Sequence, residues 1–233
     1  MKQNTHIFYY IILSIIAAAL VLLLACFTAP AASTSFSDKI IVGAAFIASC
    51  VFGISLAVYP RWFQRFTKRE THRAQKQQTG KTTIQYQGHH PDCEKFTTHT
   101  IKIKGKIMCA GCLGLSIGSF LSIAVVILYI GSIHEQLAPV LHLLLILGLL
   151  IIFLAYIEIT LPRRHAVVHV IANVFLVVGF LLITISVVEI TGTIIYGLLM
   201  ALLSFLWLDT RIQLSNWRHG LICKNCNELC KMY

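Results

Sequence analysis

Two pairs of potential metal ligands lie close together in one polar stretch of the chain. His90 and Cys93 form the first pair, three positions apart. Cys109 and Cys112 repeat that spacing. Ligands spaced in this way sit on a tight turn, and two such turns supply the four ligands of a structural zinc site. The spacing therefore predicts a small zinc-ribbon-like site formed by these four residues.

The C-terminal tail carries a second group of cysteines. Cys223 and Cys226 have the same spacing, and Cys230 follows them. These three thiolates need one more ligand to complete a tetrahedral ion, and the sequence offers His99 or His219. The preferred hypothesis is therefore two zinc ions, one held by the loop and one by the tail.

A rival division combines the Cys-x-x-Cys motif of the loop with that of the tail. Cys109, Cys112, Cys223 and Cys226 would then form a single four-cysteine site. Such a site suits iron as well as zinc. Residue types alone do not choose between the two divisions.

The elements that position these residues are predicted to be membrane helices. The chain has 233 residues, of which 57% are hydrophobic and only 12% charged, a balance that excludes an ordinary soluble domain. Apolar runs long enough to span a bilayer predict an all-α protein with about six transmembrane helices. These runs cover residues 7–29, 40–59, 109–131, 139–161, 166–190 and 192–208. A tight turn at 189–192 is required to separate the last two.

The positive charges predict the orientation of the helices. An inward N-terminus places eighteen of the nineteen Lys and Arg residues on one side and leaves only Lys39 on the other. Both termini and the 60–108 loop are therefore predicted to be cytoplasmic. The net charge of +10 follows from this topology and does not indicate nucleic-acid binding. A reducing compartment also favours thiolate ligation over disulfides.

The large loop divides into two parts. Residues 60–81 are basic, and the stretch from Arg61 to Arg73 is predicted to face anionic lipid headgroups. Residues 82–112 have strand character, with a hairpin expected to turn at Lys104 and Gly105. Because this part is too small to bury a hydrophobic core, we expect a metal ion to stabilise its fold. Residues 209–233 are expected to form a cysteine-rich tail.

The Cys109/Cys112 pair also supports a different function. A Cys-x-x-Cys motif at a helix N-terminus is found in membrane oxidoreductases of the vitamin K epoxide reductase kind, where the helix dipole favours the thiolate. The alternative is thus a membrane thiol-disulfide oxidoreductase. No quinone-pocket signature accompanies the motif, and this alternative leaves the nearby histidines unexplained.

A third alternative is transport of a metal or another ion through the bundle. The fourth and fifth spans form a hairpin about residues 162–165, which places Glu158 opposite His169. His165 and Asn173 lie on the same helical face as His169. A buried carboxylate and imidazole could relay protons or bind a cation, but Glu158 is close enough to the membrane surface to snorkel, which favours a structural pair.

The run from Cys109 to Gly118, preceded by Cys93, resembles the signature of a family of small polytopic membrane proteins known as domain of unknown function 2085. The family pattern is Cys-Ala-Arg-Cys-Thr-Gly at the start of a helix. This chain has Gly111 in place of the Arg and Leu113 in place of the Thr. The resemblance implies a multi-pass fold with a cysteine motif, and it brings no known activity.

The remaining signals concern packing. Small residues at 111, 114, 116, 118 and 119 are predicted to let neighbouring helices approach closely, and a homo-oligomer through that face stays open. Cys26 and Cys50 lie in apolar runs and are expected to be packing residues. No phosphate-binding glycine loop, hydrolase serine motif or catalytic carboxylate pair is present, so catalysis is not indicated.

Overall fold

A computed structural model describes residues 2–28, 34–58, 86–87, 99–103, 106–131, 140–161 and 165–224. Within these ranges the chain forms six long helices and three short strands. The helices are α1 (Lys2–Phe27), α2 (Phe36–Val58), α3 (Ala110–Gly131), α4 (Leu141–Thr160), α5 (Ala166–Thr191) and α6 (Ile194–Lys224). The strands are β1 (Tyr86–Gln87), β2 (Thr100–Ile103) and β3 (Lys106–Cys109).

Each of the six helices contains a segment long and apolar enough to cross a membrane. Their outward faces carry large apolar side chains, such as Leu128 at 72% exposure and Phe153 at 59%. Such surfaces are unfavourable in water and favourable against lipid chains. The prediction of an all-helical, multi-pass membrane protein is therefore confirmed.

Helix α6 is longer than the sequence indicated. The apolar run was expected to end at residue 208 and to be followed by a tail, but the helix continues to Lys224. The continuation buries Arg211, Leu214 and His219 against the rest of the bundle. Residues 209–224 therefore belong to the helix. The sequence did not indicate this, because some of the buried positions in this segment are polar and no apolar run marks it.

The break between α5 and α6 lies at the C-terminal end of the predicted 189–192 turn, because residues 189–191 still belong to α5. Helix α5 ends at Thr191, and Gly192 adopts a left-handed conformation with φ of 60°. Its N–H donates to the carbonyl of Val188 at 2.8 Å, which caps the helix. Only Gly192 and Thr193 connect the two helices, so the long apolar block is a tight hairpin.

Helix α5 lies at the centre of the bundle and contacts α1, α3, α4 and α6. Two glycines of α3 let α3 and α5 approach each other closely. Gly114 lies against the backbone of Val170, and Gly118 lies against that of Val174. A Cβ on Gly118 would come within 2.9 Å of the Val174 carbonyl oxygen. The predicted role of the small residues in α3 is thus confirmed for these two positions.

The three strands form a sheet in the order β1-β3-β2. Strand β2 pairs antiparallel with β3, with Thr100 opposite Cys109 and Ile103 opposite Lys106, so the predicted hairpin about residues 104–105 is confirmed. Strand β1 pairs parallel with β3, which the sequence did not predict. Strand β3 runs directly into α3, and the sheet therefore lies at the end of the bundle from which α3 starts. We call this the loop end.

Candidate functional site

Cys109 and Cys112 lie at the junction between the sheet and the bundle. Cys109 is the last residue of β3 and is 4% exposed, while Cys112 is half-buried in the first turn of α3. Their side chains hydrogen-bond to each other and are not joined in a disulfide. The two thiols therefore form a compact pair beside the positive end of a helix.

Three histidines meet next to this junction. His99, just before β2, is 2% exposed. Its ring stacks edge-on against His169 of α5, at a centroid distance of 5.7 Å, and against His219 of α6, at 5.4 Å. A histidine from the loop is thus inserted between two helices of the bundle. No periodic pattern marks His99, so the sequence could not predict this contact.

Glu158 and His169 meet at the loop end as the hairpin register predicted. Nδ1 of His169 lies 3.1 Å from both carboxylate oxygens of Glu158. Nη2 of Arg211 also donates to Glu158, at 3.3 Å. Glu158 is only 7% exposed, so the expectation that it snorkels to the surface is wrong. Its charge is instead balanced inside the bundle by Arg211, a residue of the predicted tail.

Gly111 leaves space where several of these groups converge. A Cβ at this position would lie 3.2 Å from Nε2 of His169 and 3.8 Å from both Sγ of Cys109 and Nδ2 of Asn173. Asn173 is fully buried and donates from Nδ2 to the carbonyl of His169. A side chain at residue 111 would therefore fill the gap between the thiol pair and α5.

The predicted metal ligands are only partly within the described residues. His90, Cys93, Cys226 and Cys230 lie outside them, as does the Arg61 to Arg73 stretch. Cys223 lies in the last turn of α6, one turn after His219. Among the residues that the structure describes, no three His, Cys, Asp or Glu side chains are close enough together to hold one ion.

The two remaining cysteines differ from each other. Cys50 is 5% exposed and belongs to the apolar core, which confirms its predicted packing role. Cys26 is exposed on the outer surface of α1, so the same prediction is wrong for it. Its helix face is turned away from the bundle, a direction that a uniformly apolar sequence cannot reveal.

No protein-family model, curated protein or solved structure matches the chain significantly. The loop end brings together two thiols, three imidazoles and a neutralised carboxylate.

Proposed function

We propose that this multi-pass membrane protein carries a structural metal site that clamps its 82–112 loop to the helix bundle. The first ion is zinc, and its ligands are His90, Cys93, Cys109 and Cys112. A bound zinc ion would supply a cross-link with four protein ligands and no open position, which is a structural rather than a catalytic arrangement.

The observation that carries this proposal is the placement of Cys109 and Cys112. The β2–β3 hairpin delivers Cys109 at its end, and the first turn of α3 delivers Cys112, so that the two thiols are already neighbours. Two adjacent thiols fit half of a tetrahedral zinc site in their chemistry. The remaining half is assigned from the spacing of His90 and Cys93.

A second ion, held by Cys223, Cys226 and Cys230, is part of the same proposal. Its fourth ligand is His99 or His219, and the rings of these two histidines are 5.4 Å apart. His219 precedes Cys223 by one helical turn on α6. Both candidate imidazoles therefore lie at the end of the helix that carries the first tail cysteine. The four-cysteine division remains the rival arrangement.

The test is elemental analysis of the full chain purified in detergent without chelator. We expect on the order of one or two zinc ions per chain. Substituting Cys109→Ser together with Cys112→Ser should remove one of them, and Cys93→Ser should act in the same way. Cys26→Ser is the matched control, because Cys26 is exposed on the outer face of α1.

Two further results would decide the arrangement. If the Cys223→Ser, Cys226→Ser variant loses one ion and keeps another, the two-site division is correct. If the wild type holds one ion and either Cys-x-x-Cys variant loses it, the four-cysteine division is correct. Wild-type protein that is free of metal after every chelator-free purification would overturn the proposal.

A thiol-disulfide oxidoreductase is the second candidate, and one observation favours it. Cys109 and Cys112 line a cavity between α2, α3, α5 and α6. Apolar side chains also line this cavity, so it could hold an apolar substrate beside the two thiols. In such a reaction the two thiols would lose two electrons and two protons to a quinone, forming a disulfide and a quinol. Metal-free protein whose Cys109/Cys112 pair cycles between thiol and disulfide would support this candidate.

The ion-transport alternative receives less support from the geometry. Glu158 is held by both His169 and Arg211, so its charge is already compensated. A carboxylate that must pair with a passing cation would first have to leave a fixed cationic partner. These contacts favour a structural role for the pair.

A further inference from the structure

A cavity of about 460 Å³ lies between α2, α3, α5 and α6, in the half of the bundle next to the loop end. This volume is within the range of small-molecule binding sites, roughly 300–1,000 Å³. The residues that form its apolar walls include Phe46, Leu56, Leu115, Val177, Phe180 and Leu208. A ligand here would therefore bury an apolar body among helices.

Polar residues line the end of the cavity next to Gly111, and one of them, Asn173, has an unsatisfied acceptor. Asn173 is fully buried and lines the cavity. Its Nδ2 donates to the carbonyl of His169 at 2.6 Å, but its Oδ1 has no hydrogen-bond partner among the described residues. Because a buried acceptor without a donor costs about 1–3 kcal/mol, this oxygen is suited to receive an O–H or N–H from a ligand.

The ring of His169 lies at the same end of the cavity. Nδ1 of His169 is hydrogen-bonded to the Glu158 carboxylate. Because an ionised carboxylate only accepts hydrogen bonds, Nδ1 carries a proton. The other ring nitrogen, Nε2, faces Gly111. It lies 3.2 Å from the point where a Cβ on Gly111 would be, and the glycine leaves that approach open.

The fixed charges at this end of the cavity cancel. Glu158 and Arg211 form a buried ion pair at 3.3 Å. A charged ligand would therefore find no uncompensated counter-charge from this pair and would lose its hydration. A neutral ligand loses much less on entering the site.

We propose that this cavity binds a neutral amphiphile with an apolar body and a hydroxyl group, of the phenol or quinol class. The apolar body occupies the space between α2 and α6, and the hydroxyl donates to Oδ1 of Asn173. Cys109 and Cys112 of the proposed zinc site also line this cavity, but the assigned contact is to Asn173 and uses neither thiol.

The probe is radiolabelled 4-nonylphenol, and its saturable binding is measured on the full chain in lipid nanodiscs. The competitor is its methyl ether, which keeps the apolar body and removes the donor. We expect the ether to compete roughly tenfold more weakly than unlabelled nonylphenol, because it leaves Oδ1 of Asn173 without a donor. Equal competition by the two compounds would overturn the proposed polar contact.

Two glycines provide a matched pair of variants that tests the location. A Cβ on Gly53 or on Gly131 would meet no atom within 4 Å among the described residues, but only Gly53 lines the cavity. We expect Gly53→Phe to abolish saturable binding by filling the space, and Gly131→Phe to leave it unchanged. Equal binding by both variants would show partition into lipid and overturn the proposal.

A third variant tests Asn173 directly. Replacing it by Leu removes the acceptor and keeps the number and branching of the side-chain heavy atoms, so nonylphenol and its ether should then compete equally. A variant that still prefers nonylphenol tenfold would contradict the assigned contact. If Asn173→Leu fails to assemble, the Gly53 and Gly131 pair still decides the location and the ether still decides the polar contact.

Discussion

Glu158 and His169, on separate helices, meet through Nδ1 of His169 at 3.1 Å from both carboxylate oxygens. Arg211 approaches the same carboxylate from α6, at 3.3 Å. One buried charge therefore connects three helices at the loop end. Its removal affects more than one contact, because both partners lose their acceptor.

The first prediction is that Glu158→Leu destabilises the protein strongly. The substitution leaves Arg211 buried without a counter-charge, which costs about 3–5 kcal/mol. The double variant Glu158→Leu, Arg211→Met replaces the ion pair by apolar groups and should recover much of that loss. The measurement is the free energy of unfolding in detergent micelles. A double variant as unstable as the single one would contradict the coupling.

The second prediction concerns the opposite end of the bundle, where Nζ of Lys39 lies 2.8 Å from Glu189. Glu189 also accepts hydrogen bonds from Tyr129 and Thr34. The two charged side chains are only 12% and 14% exposed. Because the hydrogen bond is charge-assisted and poorly screened, we expect Lys39→Met to cost about 2 kcal/mol.

The control for this ion pair is Lys102→Met, since Lys102 is exposed on β2. Its unfolding free energy should change by less than about 0.5 kcal/mol. Thermal unfolding of both variants at low and high salt is the measurement. If the difference in stability between the wild type and Lys39→Met disappears at high salt, the ion pair is solvated and does not hold α2 to α5.

The sequence predicted the parts of the fold that follow from helix geometry. Apolar runs gave the six spans, and the residue spacing on either side of the α4–α5 turn placed Glu158 opposite His169 because helix rise fixes depth. The glycines of α3 were also interpretable, since small residues permit a close helix approach.

The site was only partly predictable, for physical reasons. Arg211 lies in a polar extension of α6 whose buried face carries no apolar period, so its pairing with Glu158 left no local signal. His99 reaches α5 and α6 from a loop, and such a long-range contact depends on the path of the chain. Oδ1 of Asn173 became informative only when its neighbours were known.

The third prediction tests the seam between α3 and α5. Gly114 faces the backbone of Val170 and the Cβ of Asn173, so Gly114→Val should force the helices apart. Backbone atoms cannot move aside as a flexible side chain can, and overpacking of this kind costs about 1–3 kcal/mol or more. Gly131→Val is the control, because its Cβ would meet no described atom within 4 Å.

The measurement for this seam is the melting temperature together with the elution profile in size-exclusion chromatography. We expect Gly114→Val to melt earlier or to aggregate, and Gly131→Val to behave like the wild type. Identical melting of the two variants would show that α3 and α5 are not tightly packed at Gly114.

The fourth prediction concerns removal of the proposed zinc. A ligand that binds only the folded state contributes about 4 kcal/mol at a thousandfold excess over its dissociation constant, and a chelator removes that contribution. Excess chelator should therefore lower the melting temperature of the wild type, and added zinc should restore it. The Cys109→Ser, Cys112→Ser variant should start lower and respond less to the chelator. If a chelator leaves the melting temperature of the wild type unchanged but a thiol reductant shifts it, Cys109 and Cys112 are instead a redox pair.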